Sequence, residues 1–283
     1  MMLALLGSSS QSKLLRRCAR GMAVLAACAL PALASVQAAE KPGSSYVPDV
    51  GQEGKDVVWG PTPQSLVDKM IDMAKAAPGD TLIDLGSGDG RLVITAAQRG
   101  IKAHGIEYNP DMVELARRNA QAAGVSRVAT FEKADLFETD LSRATVITLF
   151  LLPTINEKLR PRLLELKPGT RVVSNTFPMG DWRPDEQATV TEQCQTWCSA
   201  LLWIVPARVE GTWKLDGREL KLAQQYQRLS GTLDARPIDD ATLRGDEISF
   251  SVNGVRYRGK VNGGTMQGTR AGASPASWSA VRG

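Results

Sequence analysis

The sequence is poor in histidine and cysteine, the usual ligands of structural zinc. It contains one histidine, His104, and of its four cysteines only Cys194 and Cys198 lie beyond residue 39. Structural zinc sites take four ligands, mostly Cys and His at short spacings. Because there is no second Cys or His pair, we do not expect a metal site. His104 lies inside a predicted strand, where we expect a structural residue rather than a catalytic base.

The two cysteines beyond residue 39 flank the tripeptide Gln195-Thr196-Trp197, between two apolar runs with β character. In a tight hairpin the two sulfur atoms could approach within bonding distance, and an oxidising compartment would permit the bond. On one straight strand they could not close a disulfide. The sequence therefore leaves two states open, a disulfide or a pair of thiols.

The N-terminal apolar run, from Met22 to Leu33, is too short to span a bilayer comfortably. It follows a basic segment that ends at Arg20 and precedes Val36-Gln37-Ala38, which is typical of a signal-peptide cleavage site; Ala39 is an adjacent choice. We therefore expect a signal peptide over residues 1–39 and an exported, periplasmic protein. The order Leu25-Ala26-Ala27-Cys28 leaves a lipoprotein anchored at Cys28 as an alternative.

Beyond this leader, the chain has no excess of charge of either sign. The net charge of +4 arises from 34 basic and 30 acidic residues, and residues 1–39 hold four of the basic residues and no acidic one. The remainder is therefore neutral. Because nucleic-acid binding usually requires a large basic surface, we do not expect a nucleic-acid partner.

The glycine pattern of dinucleotide-binding proteins, G-x-G-x-x-G, is absent, since counting from Gly86 its third glycine would fall on Arg91. Residues 84–90 instead read D-x-G-x-G-x-G after an apolar run, and Glu107 follows 17 residues later. The order predicts a buried strand, a glycine turn, a helix and a second strand that ends in an acid. Glycine lets the backbone pass close to a ligand, and the acid can bind a ribose diol.

Strand-like and helical periodicities alternate from residue 62 to 176, which predicts an α/β fold with a doubly wound, mostly parallel sheet. The predicted strands are 81–85, 103–107, 128–132, 146–151 and 171–176, with a closing antiparallel pair at 190–193 and 201–205. Six short alternating runs between residues 212 and 269, with a hairpin signal at Asn253-Gly254, predict a small antiparallel β domain. We therefore expect an extended lead-in at 40–60, an α/β domain at 61–206 and a small all-β domain at 207–283.

The turn at residues 84–91 resembles motif I of the class I S-adenosylmethionine (SAM) methyltransferases. From about Thr62 to Trp182 the chain is similar to this class, and most similar to the lysine methyltransferases that modify the mitochondrial ATP synthase c subunit and adenine nucleotide translocase, and to secreted bacterial relatives. Residues 105–110, 134–137 and 177–182 extend the resemblance. It implies a Rossmann-like methyltransferase domain at 61–206, SAM as cofactor and a protein lysine as methyl acceptor.

Acids stand at or just beyond the ends of three successive predicted strands, where parallel sheets bind ligands. We expect the first turn to approach the methionine part of SAM, the second acid to bind the ribose and the third to bind the adenine amino group. The predicted cofactor-binding residues are Asp84, Gly86, Ser87, Gly88, Glu107 and Asp135.

Methyl transfer requires donor and nucleophile to be held in line in a dry pocket, and a lysine nucleophile must first lose a proton. We expect the pocket to form from the loops after the fourth and fifth strands. The predicted walls are Pro153, Phe177 and Trp182, with Tyr46 as a lid and Asp181 as proton acceptor. Core packing of the aromatic residues and turn capping by Asp181 remain open as alternatives.

Three functions remain open from the sequence. The first is methyl transfer to a protein lysine, and the second is an exported, non-catalytic SAM-fold binding module. The third is methyl transfer to a membrane-associated lipid or quinone. Export favours the second because SAM is made in the cytoplasm, whereas the intact turn favours the first. The fourth strand lacks the Asn/Asp-Pro-Pro-aromatic signature of methyltransferases that act on bases or glutamine.

Overall fold

Two β-sheets follow one another along the chain in the computed structural model, which describes residues 46–272 and 276–283. The predicted signal peptide, the alternative anchor Cys28 and residues 40–45 of the lead-in lie outside the described residues. Both sheets belong to one compact unit. Within the described part of the chain, no helix is long and apolar enough to cross a membrane.

The first sheet has seven strands in the order β3-β2-β1-β4-β5-β7-β6. The first five are parallel, whereas β7 pairs antiparallel with both β5 and β6. The strand order reverses between β1 and β4, so a switch point lies there. This architecture confirms the predicted doubly wound sheet. Its elements are α1 Gln64–Met73, β1 Thr81–Leu85, α2 Arg91–Gln98, β2 Lys102–Glu107, α3 Pro110–Ala122, β3 Ala129–Lys133, β4 Val146–Leu149, α4 Pro153–Leu163, β5 Arg171–Asn175, β6 Glu186–Thr189 and β7 Ser199–Ile204.

Helices cover both faces of this sheet because its central strands are apolar on both sides. All four residues of β4 are buried, as a central parallel strand requires. The apolar stripes of α1, α2 and α3 pack in one core, and that of α4 packs in the other. Local chemistry sets the helix starts: the Asn109 side chain caps α3 by accepting a hydrogen bond from the Asp111 N–H, and Pro110 is the first helical residue.

The second sheet has nine antiparallel strands in the order β11-β10-β12-β13-β14-β15-β16-β8-β9, and β9 also pairs with β10, which closes it. Alternate side chains point inward to a separate core that includes Trp213, Phe250 and Trp278. The predicted Asn253-Gly254 hairpin joins β13 to β14. The strands are β8 Gly211–Leu215, β9 Arg218–Gln225, β10 Arg228–Leu233, β11 Arg236–Pro237, β12 Asp239–Arg244, β13 Glu247–Val252, β14 Val255–Asn262, β15 Thr265–Arg270 and β16 Ala276–Arg282.

The structure corrects two details of the predicted strands. The closing pair begins at β6 rather than at 190–193, because the segment after Thr189 turns back through Cys194 and Cys198 before β7. Three strands of the second sheet, β11, β12 and β16, were not expected. β11 has two residues, β12 buries one side chain, and β16 buries only Trp278 and Ala280, so none carries a strong periodic signal.

Candidate functional site

A cavity lies at the carboxyl ends of β1, β2 and β4, with residues 50–62 forming one side of it. This is the edge of the sheet where the switch point predicts a ligand. The structure brings all six predicted cofactor-binding residues to the cavity lining: Asp84, Gly86, Ser87, Gly88, Glu107 and Asp135.

Backbone N–H groups fix the carboxylate of Glu107 at the end of β2. One carboxylate oxygen accepts a hydrogen bond from the Gly88 N–H at 3.0 Å, and the other accepts one from the Asn109 N–H at 2.9 Å. Gly88 has a left-handed φ of 53°, and a Cβ there would lie 2.7 Å from Trp59 Nε1. A larger residue at position 88 would therefore be both strained and too close to the cavity lining.

Asp84 lies beneath this turn and is buried. Burial raises the pKa of its carboxyl group to about 7; the hydrogen bond from Thr148 opposes the shift, and the charges of Glu107 and Asp89 add to it. Thr148 is the residue opposite Asp84 on β4, and its hydroxyl donates to Asp84 at 2.7 Å. A cation in the cavity would therefore be stabilised by ionised Asp84.

Asp135 and Tyr108 lie at the other end of the cavity, where Lys55 contacts both. Lys55 Nζ donates to the Asp135 carboxylate and lies 4.7 Å from the centroid of the Tyr108 ring. The hydrogen bond from Lys55 is the main reason why the pKa of Asp135 is lowered, and a hydrogen bond from the Phe137 N–H acts in the same direction. The adenine-binding end predicted from the sequence is thus covered by a side chain of the lead-in.

Acids outnumber bases in the lining. The six carboxylates are those of Glu53, Asp56, Asp84, Asp89, Glu107 and Asp135, and the two cations are Lys55 and Arg91. Both cations are paired. Arg91 lies 2.6 Å from the carboxylate of Asp89, and Lys55 forms an ion pair with Asp135. The excess of carboxylates makes the cavity suited to cationic ligands.

This lining fits the cofactor that the motif resemblance implies. Gly86 and Gly88 both have left-handed φ values, which residues other than glycine rarely adopt, and a Cβ on Gly86 would lie 3.1 Å from Leu151. Glu107 is held with oxygen atoms toward the cavity, and the buried carboxyl of Asp84 complements a positive charge. SAM carries a ribose diol and a sulfonium cation, and these two groups match that pair of acids.

Three of the four predicted substrate-pocket residues, Pro153, Tyr46 and Trp182, lie outside the lining. Phe177 lines the cavity as expected, but beside it Leu152 rather than Pro153 does so, because Pro153 is the first residue of α4. Tyr46 is also not among the lining residues; its hydroxyl accepts a hydrogen bond from Gln52 Nε2 at 2.6 Å. Residues 50–62, rather than Tyr46, cover this side of the cavity.

Trp182 and the predicted proton acceptor Asp181 instead contact the turn between β9 and β10. Trp182 is fully buried in the second core of the first sheet, and its Nε1 donates to Gln227 in the turn between β9 and β10. Asp181 accepts hydrogen bonds from Arg160 at 2.6 Å and from the Tyr226 hydroxyl at 2.9 Å. The bond from Tyr226 is the main cause of the lowered pKa of Asp181. Asp181 therefore serves an ion-pair and hydrogen-bond cluster away from the cavity.

His104 is also outside the cavity lining. Its Nδ1 lies 2.8 Å from the Thr130 hydroxyl on the neighbouring strand β3, and its Nε2 lies 3.4 Å from Glu132. These contacts agree with the structural role that was expected for this residue.

Four aromatic residues of the lining were not predicted: Trp59, Tyr108, Phe150 and Trp197. Tyr108 follows the end of β2 and Phe150 follows the end of β4, so their position relative to the strands could have identified them. Trp59 and Trp197 come from the lead-in and from the loop between β6 and β7. No local pattern indicates that those segments reach the cavity.

Comparison with known proteins agrees with this geometry. Residues 84–186 match the family model of the ANTKMT methyltransferase domain. The chain is 44% identical over 151 residues to a protein-lysine N-methyltransferase of Saccharolobus islandicus, which covers 52% of this chain and 89% of that protein. It is 39% identical over 120 residues to the mouse adenine nucleotide translocase lysine N-methyltransferase, covering 42% of this chain and 52% of that protein.

A solved structure also matches. It is described as an RNA methyltransferase from Salinibacter ruber in complex with S-adenosyl-L-homocysteine, with 47% identity and a TM-score of 0.50. The match covers 53% of this chain and 96% of that chain. The chain thus spans nearly all of the archaeal and Salinibacter relatives but about half the length of the mouse relative.

Proposed function

This chain belongs to the family of SAM-dependent methyltransferases that includes the ANTKMT methyltransferase domain, and on that premise we propose that it methylates a protein lysine. SAM is its cofactor, and when bound it supplies an electrophilic methyl group on a sulfonium. The proposal concerns the acceptor and the residues that carry the reaction.

We assign cofactor binding to the six strand-end residues at the cavity. Glu107 would bind the ribose hydroxyls, because its carboxylate is already oriented by the Gly88 and Asn109 N–H groups. Asp135 would accept from the adenine amino group after Lys55 moves away. Asp84 would stabilise the positive charge of the bound donor from below the turn.

The observation that carries a lysine acceptor is the excess of carboxylates in the cavity lining. A lysine side chain arrives as a cation, so an acidic cavity attracts it, whereas it repels the phosphates of RNA. Phe150 and Phe177, just beyond β4 and β5, offer apolar surface to the methylene stem. The names of the archaeal and mouse relatives agree with this acceptor.

Asp181 is not part of the proposed chemistry, because it does not line the cavity. The proposed contribution of the protein is to orient donor and acceptor and to exclude water. Residues 50–62 provide that exclusion on the open side of the cavity.

We also propose that the protein is exported and acts on an envelope protein, on the basis of the signal-peptide pattern at residues 1–39. The disulfide between Cys194 and Cys198 supports this location, since such bonds persist in oxidising compartments. Two alternatives are a non-catalytic module and an enzyme acting on a membrane-associated small molecule.

The purified full chain, incubated with methyl-tritiated SAM and an extract of the cells that produce it, tests the acceptor. We expect label that protease releases and nuclease does not, and that appears as methyl-lysine after acid hydrolysis. A Glu107→Ala variant that remains folded by circular dichroism should give no label. Label in the RNA or lipid fraction would overturn the lysine assignment. Binding of S-adenosylhomocysteine without any transfer would instead favour the non-catalytic module.

A further inference from the structure

The loop between β6 and β7 carries Trp197 to the edge of the cavity. Cys194 and Cys198 form a disulfide that closes a five-residue ring around it, with the two Cα atoms 5.8 Å apart. Trp197 lines the cavity, yet 42% of its surface is exposed. A large exposed aromatic ring beside a ligand cavity indicates a contact surface for a ligand rather than a core residue.

Trp197 is the outermost of three aromatic rings that come from three different elements. Its ring packs edge-on against Phe150, with the centroids 5.5 Å apart. Phe150 in turn stacks on Phe177, with centroids 5.9 Å apart. We call Phe150, Phe177 and Trp197 the aromatic entrance. Gly60 of the lead-in lies against it, because a Cβ at that position would be 3.4 Å from the Trp197 ring.

In the part of the chain that the structure describes, no lysine or arginine lies over the face of these three rings. Among residues 46–272 and 276–283, the lysine and arginine groups that lie over aromatic rings are found on Tyr108, Tyr226, Tyr257 and Trp213. The aromatic entrance is thus available to a cation from outside, and it opens into an acidic cavity. Aromatic faces bind ammonium groups, most strongly when the ring is that of tryptophan.

Trp197 lies within the ring closed by the disulfide and has a left-handed backbone conformation. Trp197 has a φ of 57° and Gln193, just before the ring, has a φ of 52°. This left-handed region is unfavourable for residues with a side chain, and closure of the ring by the disulfide counteracts that cost. The position of the indole therefore depends on the bond between Cys194 and Cys198.

From these observations we infer that the aromatic entrance is the acceptor-binding site, and that the Cys194–Cys198 disulfide positions Trp197 to bind the lysine side chain. This inference rests on the proposed function and adds the residues that select the acceptor. The lysine stem packs on Phe150 and Phe177, and its ammonium group passes the face of Trp197 toward the carboxylates. Reduction of the disulfide weakens acceptor binding and leaves cofactor binding intact.

Direct binding of a lysine probe tests the site. The probe is Nα-acetyl-lysine methylamide, added to the S-adenosylhomocysteine complex of the full chain, and the readout is the indole N–H signal of Trp197 by NMR, assigned with Trp197→Phe. We expect a saturable shift of that signal. The norleucine analogue, which has a similar stem and no charge, should cause a much smaller shift. An equal shift with both probes would overturn recognition of a cation.

Variants then separate acceptor binding from cofactor binding. Trp197→Ala should raise the KM for the labelled acceptor protein about tenfold, between the effects of an exposed and a desolvated cation–aromatic contact. Its affinity for S-adenosylhomocysteine should not change, and Trp197→Phe should recover part of the loss. Gln195→Ala, in the same loop but outside the lining, is the matched control. An unchanged KM in Trp197→Ala, or an equal loss of cofactor affinity, would overturn the inference.

The disulfide is tested with Cys194→Ser combined with Cys198→Ser. We expect the same rise in KM as in Trp197→Ala, with unchanged S-adenosylhomocysteine binding as the measure of an intact fold. A double variant with wild-type KM would show that the bond does not position the indole. If the wild-type chain forms no methyl-lysine, the proposed function fails; if it does and Trp197→Ala has normal kinetics, only this inference fails.

Discussion

At the scale of single residues, the cavity depends on carboxylates whose surroundings differ. Glu107 accepts hydrogen bonds from two backbone N–H groups, and these keep it oriented. Asp84 is buried, with one hydroxyl donor and two neighbouring acids. Asp135 is more exposed and pairs with Lys55. The same chemical group, a carboxylate, therefore supplies a rigid acceptor at Glu107, a titrating group at Asp84 and an ion pair at Asp135.

Replacing Glu107 by Ala should abolish cofactor binding. The change removes two hydrogen bonds that orient the turn and the acceptor for the ribose, and charged hydrogen bonds contribute roughly 1.5–3 kcal/mol each. We expect at least about a hundredfold weaker binding of S-adenosylhomocysteine by calorimetry. Glu132→Ala, an exposed acid on the adjacent strand, is the control and should bind normally. Unchanged affinity in Glu107→Ala would remove Glu107 from the site.

The raised pKa of Asp84 should make the free protein less stable as the pH rises. The carboxyl group titrates near 7 when folded and near 3.8 when unfolded, so between those values the folded state holds the extra proton. Its contribution to stability is present below about pH 4 and is lost as the pH approaches 7, by up to roughly 4 kcal/mol. Urea unfolding of the wild type and Asp84→Asn from pH 4.5 to 7.5 measures this. The variant should lack that decline, and parallel curves for both proteins would contradict the prediction.

At the scale of elements, the lead-in covers a cavity that the sheet alone would leave open. Residues 50–62 line it from Val50 to Thr62, and Trp59 lies against Gly88. Lys55 extends from the same segment to Asp135 and Tyr108. The segment has no regular helix or strand, so these contacts, together with backbone hydrogen bonds between Trp59 and both Gly51 and Gln52, hold it in place.

Removing the lysine of this segment should strengthen cofactor binding. In the proposed complex the adenine amino group competes with Lys55 for the Asp135 carboxylate, so Lys55→Met removes a competitor. We expect S-adenosylhomocysteine to bind a few-fold more tightly in calorimetric titration. Lys102→Met, at the opposite end of β2, should have no effect. Weaker binding in Lys55→Met would show that this lysine holds the cofactor rather than competing with it.

At the scale of the whole molecule, the second sheet is joined to the first through the β9–β10 hairpin. Tyr226 stacks on Trp182 with the ring centroids 5.9 Å apart, and Gln227 accepts a hydrogen bond from the Trp182 Nε1 at 3.0 Å. Gln227 also donates to the Arg183 carbonyl at 2.7 Å. Because Phe177 lies five residues before Trp182, this contact anchors the segment that leads from the cavity wall.

Replacing Gln227 by Ala should lower the free energy of unfolding, because it removes a hydrogen bond to Trp182 in the core of the first sheet. The buried Trp182 Nε1 would lose its acceptor, at a cost of about 1–3 kcal/mol. Urea unfolding measures the loss. Arg228→Ala, the exposed neighbour in the same hairpin, should change stability by less than about 0.5 kcal/mol. Equal effects of both variants would show that the hydrogen bond to Trp182 does not join the two sheets.

The sequence by itself determined the parallel sheet and the cofactor end of the cavity. Both depend on local patterns: alternating strand and helix periods, and acids or glycines at strand ends. Strands of a parallel sheet end at one edge, so Asp84, Glu107 and Asp135 had to converge there. The cap of α3 at Asn109 is local in the same sense, since its hydrogen bond spans two residues.

Only the tertiary structure decided which aromatic residues line the cavity and the state of the cysteines. Trp182 and Asp181 follow Phe177 closely in sequence, yet the chain turns at Met179 and directs them to the β9–β10 hairpin. Trp59 and Trp197 reach the cavity from segments without periodic structure. Whether Cys194 and Cys198 could bond depended on a turn rather than a straight strand between them. Such contacts join residues far apart in the chain or depend on a backbone reversal, and no local pattern encodes them.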